Sequence, residues 1–129
     1  MTHVLPIKVY YEDTDMGGVV YYANYLKFIE RARSEIVEEL GVDQNVMKEA
    51  GVVFVVTRVV ADYLAPAKLG DRLDVVTTHS ATSPVRWVFD QEVLRGDQLL
   101  FKAEVTAVCM STAGKPARLP AEIRARLSP

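Results

Sequence analysis

A chain of 129 residues, half of them hydrophobic, has room for one core and predicts a single domain spanning residues 1–129. Its 15 basic and 17 acidic side chains leave a formal net charge of −2, which gives no global pull toward nucleic acid or anionic lipid. The single cysteine, Cys109, excludes an internal disulfide framework and suits a reducing compartment.

The first residues lack the basic-then-apolar pattern of a secretory leader, and the longest apolar run, 51–56, falls far short of the ~20 residues of a membrane span. The expectation is a cytoplasmic protein with no membrane span. At this size a chain buries only about two-thirds of its unfolded surface, so sharing apolar area with a second subunit would help it.

Residues 4–12 are rich in Val, Ile and Tyr and predict a first strand. Residues 13–19 carry Asp, Thr, Asp and two glycines, which is loop chemistry. Then the period changes. Leu26, Ile29, Ala32, Ile36 and Leu40 recur every three to four residues, and Tyr25, Phe28 and Val37 widen that stripe. This predicts a helix buried over much of its girth, with Arg31 and Glu35 free to pair one turn apart.

Gly41 stands where a helix end wants a left-handed residue. Asp43 can cap a second, short helix that ends at Gly51. Residues 52–63 and 72–81 predict strands, separated by a Leu69-Gly70-Asp71 turn. Ser83-Pro84 breaks the chain. Residues 85–95 and 99–110 predict two more strands around a Gly96-Asp97 turn. In the last of them Leu99, Phe101, Ala103, Val105, Ala107 and Cys109 share one face. Residues 120–129, with Glu122, Arg124 and Arg126 alternating, read as a loose or helical tail.

Helices and strands in separate blocks argue an α+β fold with an antiparallel sheet of five strands. Nothing else in the chain can bury the long apolar helix, so the sheet must wrap around it.

Chemistry concentrates in residues 10–25, YYEDTDMGGVVYYANY. Three acids lie within four residues, two glycines follow, and a buried helix comes next. A loop feeding a helix presents that helix's free N–H groups and positive dipole end to whatever lies in front. Gly17 and Gly18 carry no side chain to block the approach. An oxyanion formed at a carbonyl can be held there, and losing one such donor typically costs ~10²–10³ in rate.

Asp15 stands a few residues before that helix. Its carboxylate can attack a thioester carbonyl directly or deprotonate the water that does. A thioester is already activated, so no Ser-His-Asp triad is required. Asp13 reads instead as a residue that fixes the loop. Capping or turn formation is the competing reading for Asp15 too.

Cys109, on the apolar face of a strand, reads as a core residue, and His3 and His79 sit in no motif. There is no nucleophile elbow, P-loop, dinucleotide fingerprint or Cys/His cluster with zinc spacing, so the reading carries no cofactor and no metal.

The run Asp13-Thr14-Asp15-Met16-Gly17-Gly18-Val19-Val20-Tyr21 resembles the hotdog-fold thioesterases of the 4-hydroxybenzoyl-CoA thioesterase type. The likeness is greatest to the Tol–Pal-associated acyl-CoA thioesterase branch. Further similarity lies in Glu30-Arg31-Ala32-Arg33, Phe54-Val55-Val56, Asp62-Tyr63-Leu64-Ala65-Pro66-Ala67, Lys115-Pro116 and Leu119-Pro120, so it covers nearly the whole chain.

The resemblance implies that Asp15 is the catalytic carboxylate and that a backbone N–H between Gly18 and Tyr22, above all that of Tyr22, polarises the thioester carbonyl. Catalysis then falls on Asp15 and Tyr22, and Gly17, Gly18, Val19 and Tyr25 face the substrate. Many members of the Tol–Pal-associated branch carry histidine where this chain has Tyr22. A phenol does not accept a proton near neutral pH as histidine does, so the backbone role is the one that carries over.

The family also implies edge-to-edge homodimers, often paired into a homotetramer, with sites at the dimer interface. The neighbouring subunit's residues around 56–60 would then line the acyl pocket. Lys68, Arg72, Lys115 and Arg118 are the candidates for holding CoA phosphates. The resulting expectation is hydrolysis of short-chain or aromatic acyl-CoA, with a link to the Tol–Pal envelope machinery by resemblance only.

Two alternatives stay open. One is hydrolysis of acyl groups on a carrier protein, which needs a basic docking surface. The other is a non-catalytic acyl-binding or scaffold role. A hotdog dehydratase would use a histidine on the central helix, and none stands between Asn24 and Leu40.

Overall fold

The computed structural model describes residues 2–125. Strand β1 (Thr2–Lys8) leads through one 3-10 turn at Tyr11–Asp13 and a loop into helix α1 (Asn24–Glu39) and the short helix α2 (Gln44–Glu49). Four strands follow, β2 (Val52–Tyr63), β3 (Arg72–Ala81), β4 (Arg86–Arg95) and β5 (Gln98–Ser111), then a helical turn α3 (Ala121–Arg124).

The strands form one sheet in the order β1-β3-β4-β5-β2, every neighbouring pair antiparallel. The predicted α+β architecture is therefore observed, with β1 and β2 at the two edges. No helix among the described residues is long and apolar enough to cross a membrane.

The core lies between α1 and one face of the sheet. Phe28, Ile29, Ala32 and Ile36 are buried, as are Leu73 and Val75 of β3, Trp87, Phe89 and Val93 of β4, and Phe101, Val105 and Cys109 of β5. Each large apolar side chain buried this way contributes ~1.5–3 kcal/mol.

One polar network crosses that core. The Gln91 amide nitrogen donates to the Ile29 carbonyl at 2.9 Å and to Thr77 Oγ1 at 3.0 Å, and Arg33 donates to Gln91 Oε1 at 2.9 Å. A buried amide left without partners costs ~1–3 kcal/mol, so this network fixes how α1 sits on β3 and β4.

The helix punctuation follows the sequence. Gly41 has φ +84°, and the Asp43 carboxylate accepts the N–H groups of Asn45 (2.9 Å) and Val46 (3.2 Å). Four details differ from expectation. First, β1 ends at Lys8, not at Glu12. Val9 turns instead to the 70–71 turn, donating to the Asp71 carbonyl at 2.9 Å and accepting from the Gly70 N–H at 3.0 Å.

Second, Leu26 is exposed, because Tyr25 and Phe28 take the inward positions of the first turn. Third, Glu35 pairs not with Arg31 but with His3 of β1, whose Nε2 lies 3.0 Å from Glu35 and 3.3 Å from Glu39; Arg31 lies over the Phe28 ring at 5.8 Å. Fourth, the β4–β5 register shifts between Val93 and Leu94, and Leu100 rather than Leu99 is the fully buried residue. In the tail, α3 buries Ile123, while Arg126 lies outside the described residues.

Candidate active site

The loop entering α1 is stitched down along its length. Asp13 is buried; its carboxylate accepts the Tyr10 N–H at 2.8 Å, and its carbonyl accepts the Tyr21 N–H at 3.0 Å and the Asn24 side-chain amide at 2.9 Å. Between these points the chain doubles back on itself. Thr14 bridges Val20, and the Asp15 N–H donates to the Val19 carbonyl at 2.9 Å. Val20 donates to the Ala67 carbonyl at 2.9 Å, and Val19 bridges Lys68, so the loop lies against the segment that follows β2.

Asp15 stands exposed on this hairpin. Its Oδ1 accepts the Gly17 N–H at 2.9 Å, and its carbonyl accepts the Gly18 N–H at 3.0 Å. This is the local side-chain turn that aspartate favours. A Cβ on Gly17 would lie 3.3 Å from Asp15 Oδ1, and Gly18 has φ +76°. Both glycines are thus accounted for by the backbone around the carboxylate.

The N–H groups between Gly18 and Tyr22 fall into two sets. Those of Gly18, Val20 and Tyr21 already donate to the carbonyls of Asp15, Ala67 and Asp13. Among the described residues no acceptor takes the N–H of Val19, of Tyr22, or of Ala23, which stands at the N-cap position of α1 with no side-chain cap. The Tyr22 ring is mostly exposed, 4.9 Å from Tyr21 and 6.3 Å from Tyr63, so the phenol faces outward while its backbone joins the turn.

Tyr25 departs from the substrate-facing place expected of it. It is only 3% exposed, stacks on Phe101 at 5.0 Å, and its hydroxyl oxygen accepts the Ala67 N–H at 3.1 Å. A buried ring with an engaged hydroxyl holds the loop's backing from the core side. Val19 is half-buried in its bridge to Lys68.

That backing, residues 64–71, is itself anchored. The N–H groups of Leu64 and Ala65 donate to the Leu100 carbonyl at 2.8 and 3.1 Å. Arg95 of β4 donates to Asp71 at 2.6 Å and to the Pro66 carbonyl at 3.3 Å. Burial alone would push the Asp71 carboxyl up, but the Lys68 N–H and the Arg95 guanidinium outweigh it and hold the group below the usual carboxylate range.

Of the four candidate phosphate-binding cations, Lys68 joins the loop directly and Arg72 begins β3 beside it. Lys115 and Arg118 belong to the other end of the sheet, where the Lys115 carbonyl accepts from Ser111 and Leu119 donates to the Pro84 carbonyl. The residues that sequence reasoning passed over are Tyr63, Asp71 and Arg95. Tyr63 lies within a motif, but nothing in its spacing announces a bond to a residue 41 positions earlier.

Residues 9–127 match the profile described as the thioesterase-like superfamily, and the chain belongs to that family. Within it, the chain is similar to the acyl-CoA thioesterase YbgC of Haemophilus influenzae, 42% identical over 93% of this chain and 90% of that protein. It is also similar to the acyl-CoA thioester hydrolase YbgC of Escherichia coli, 41% identical over 92% and 90%. Among solved structures, a 1,4-dihydroxy-2-naphthoyl-CoA thioesterase from Synechocystis aligns with a TM-score of 0.91 at 28% identity, covering 98% of this chain and 96% of that one. The fold is the hotdog fold of these thioesterases.

Proposed function

We propose that this chain is an acyl-CoA thioesterase that releases CoA from short-chain or aromatic acyl-CoA, with Asp15 as the reacting carboxylate and the Tyr22 N–H as the oxyanion donor. The observation that carries the reading is one loop bearing both an exposed carboxylate and a backbone N–H without an acceptor, every other N–H between Gly18 and Tyr21 except that of Val19 being spoken for. Its membership of the thioesterase-like superfamily supports the same reaction.

The chemistry is short. A carbon–oxygen bond forms at the thioester carbonyl, either from Asp15 itself or from a water that gives its proton to Asp15. The carbonyl electron pair moves onto oxygen, and the Tyr22 N–H donates a hydrogen bond to that oxyanion. Collapse expels the CoA sulfur as thiolate, which in the water route takes back the proton held by Asp15. If Asp15 attacks, the acyl-aspartyl anhydride is then hydrolysed by water; either route yields free acid and CoA. Gly17 and Gly18 leave the approach open, and of the four candidate cations Lys68, bridged to Val19, and Arg72 at the start of β3 lie on this side of the sheet for CoA phosphates.

The site is completed in a homodimer, alone or paired into a homotetramer. Strand β2 is a sheet edge with Val56, Val59 and Val60 about half exposed, which suits edge-to-edge pairing with a second copy. Light scattering at micromolar concentration should give at least a dimer, and a monomer would overturn this part. Cys109, unpaired and buried, suits the cytoplasm. A link to the Tol–Pal envelope machinery rests on resemblance only.

The deciding experiment is free-thiol release from short, long and aromatic acyl-CoA esters by wild type and Asp15→Asn side by side. Turnover by wild type that collapses in the variant is the expected result. No turnover by wild type across the panel would defeat the reading.

A further inference from the structure

Tyr63 ends strand β2, and its hydroxyl donates to the Tyr22 carbonyl at 2.8 Å. The ring is held on three sides: by Phe101 at 5.0 Å, Tyr25 at 5.5 Å and Tyr22 at 6.3 Å, each close to edge-on. The hydroxyl is therefore delivered to one place by packing rather than by a flexible stem. Burial, then the neighbouring Tyr22 and Tyr25, push its phenol above the usual tyrosine range, so it keeps the proton it donates.

What the hydroxyl touches matters more than the bond itself. Tyr22 lies between two peptide planes. The carbonyl of the first, Tyr21 to Tyr22, accepts the Asn24 N–H at 2.8 Å. The carbonyl of the second, Tyr22 to Ala23, accepts from Tyr63. A trans peptide is rigid and its C=O and N–H point opposite ways. Holding both carbonyls therefore sets the direction of the Tyr22 and Ala23 N–H groups. The helix start has no side-chain cap to do this otherwise. A donor on the Tyr22 carbonyl also polarises the Ala23 N–H of the same peptide.

We propose that Tyr63 is a positioning residue of the thioesterase site, its hydroxyl fixing the Tyr22–Ala23 peptide and with it the turn from which the neighbouring Tyr22 N–H donates to the oxyanion. The inference rests on the thioesterase reading above. Tyr63 need touch neither substrate nor Asp15; it acts through the backbone of Tyr22.

Tyr63→Phe tests this, because it keeps the ring against Phe101 and Tyr25 and removes only the oxygen. Losing an oxyanion donor outright costs ~10²–10³, and loosening one should cost less, about tenfold in kcat. KM should change little, and the loss should be the same factor for every acyl group tested. The amide NMR signal of Ala23 should move, reporting the released peptide plane independently of turnover.

An unchanged kcat, an unmoved Ala23 signal, or a loss that falls on KM and varies with the acyl group would each overturn the proposal. Asp15→Asn, measured in parallel, separates the two failures. Full activity in Asp15→Asn defeats the site reading itself; an inactive Asp15→Asn beside a wild-type Tyr63→Phe defeats only the role of Tyr63.

Discussion

The Asp13 carboxylate accepts the N–H of Tyr10 at 2.8 Å from a buried position, while the Asp15 carboxylate, two residues on, is exposed and among the described residues accepts only the Gly17 N–H. Two aspartates of one short run thus stand in opposite surroundings, one buried and tied to the backbone, the other exposed, as the proposed role of Asp15 requires. Asp15→Asn should keep the fold and lower kcat by at least ~10²-fold, because shape is retained and charge is lost. Asp13→Asn should lower the melting temperature and leave kcat of the folded protein within a few-fold of wild type. Thermal melts and thiol release on both variants check this; the reverse pattern would exchange the two assignments.

Gly17→Ala should slow turnover without unfolding the protein. The added methyl would lie 3.3 Å from Asp15 Oδ1, close enough to displace the carboxylate. A several-fold fall in kcat with an unshifted melting temperature is the expected result. Gly18→Ala acts differently: its φ of +76° resists any side chain, so the cost appears as ~1 kcal/mol of stability. Urea midpoints for the two variants should separate these effects.

The Asp71–Arg95 pair makes stability fall in acid. Because the folded carboxyl titrates below its unfolded value, its contribution is present above the unfolded value and is lost as pH falls through the folded one. Asp71→Asn should therefore melt below wild type at pH 6 to 7, and the gap should close as pH drops below about 4, the carboxylate range. A gap independent of pH would mean that the lost hydrogen bonds, not the charge, dominate.

Burial pushes the Cys109 thiol up to about 11, and the residue is fully enclosed. The thiolate is the reactive form, so the native protein should resist iodoacetamide at pH 8 and react once unfolded. Mass spectrometry with and without urea gives the answer directly. Rapid native labelling would mean that the β5 segment opens.

Much of the architecture is legible in the sequence because glycine and proline punctuate it. The bounds 52–63 and 72–81 match β2 and β3 because the 69–71 turn and Ser83-Pro84 leave little choice. Periodicity is weaker where two adjacent apolar residues compete. Leu26 and Tyr25 both fit a helical stripe, but only Tyr25 can stack on Phe101 and reach the Ala67 N–H. Strand propensity misleads at residues 9–12 for a related reason: Val9 finds its partners in a distant turn, not in the sheet. The loop with Asp15 is readable from its own residues. Its supports, Tyr63 and Arg95, are not, since their partners are fixed only when β2 and β4 take their places.

The pairing of Thr14 with Val20 and of Asp15 with Val19 leaves the loop that carries Asp15 little spare length. One residue added between Asp15 and Val19 would have to bulge out at the tip or break partners such as Val20 with Ala67 and Tyr21 with Asp13. The changes that leave these partners in place are exchanges of side chain on the strands around the loop, with the loop's own length held constant.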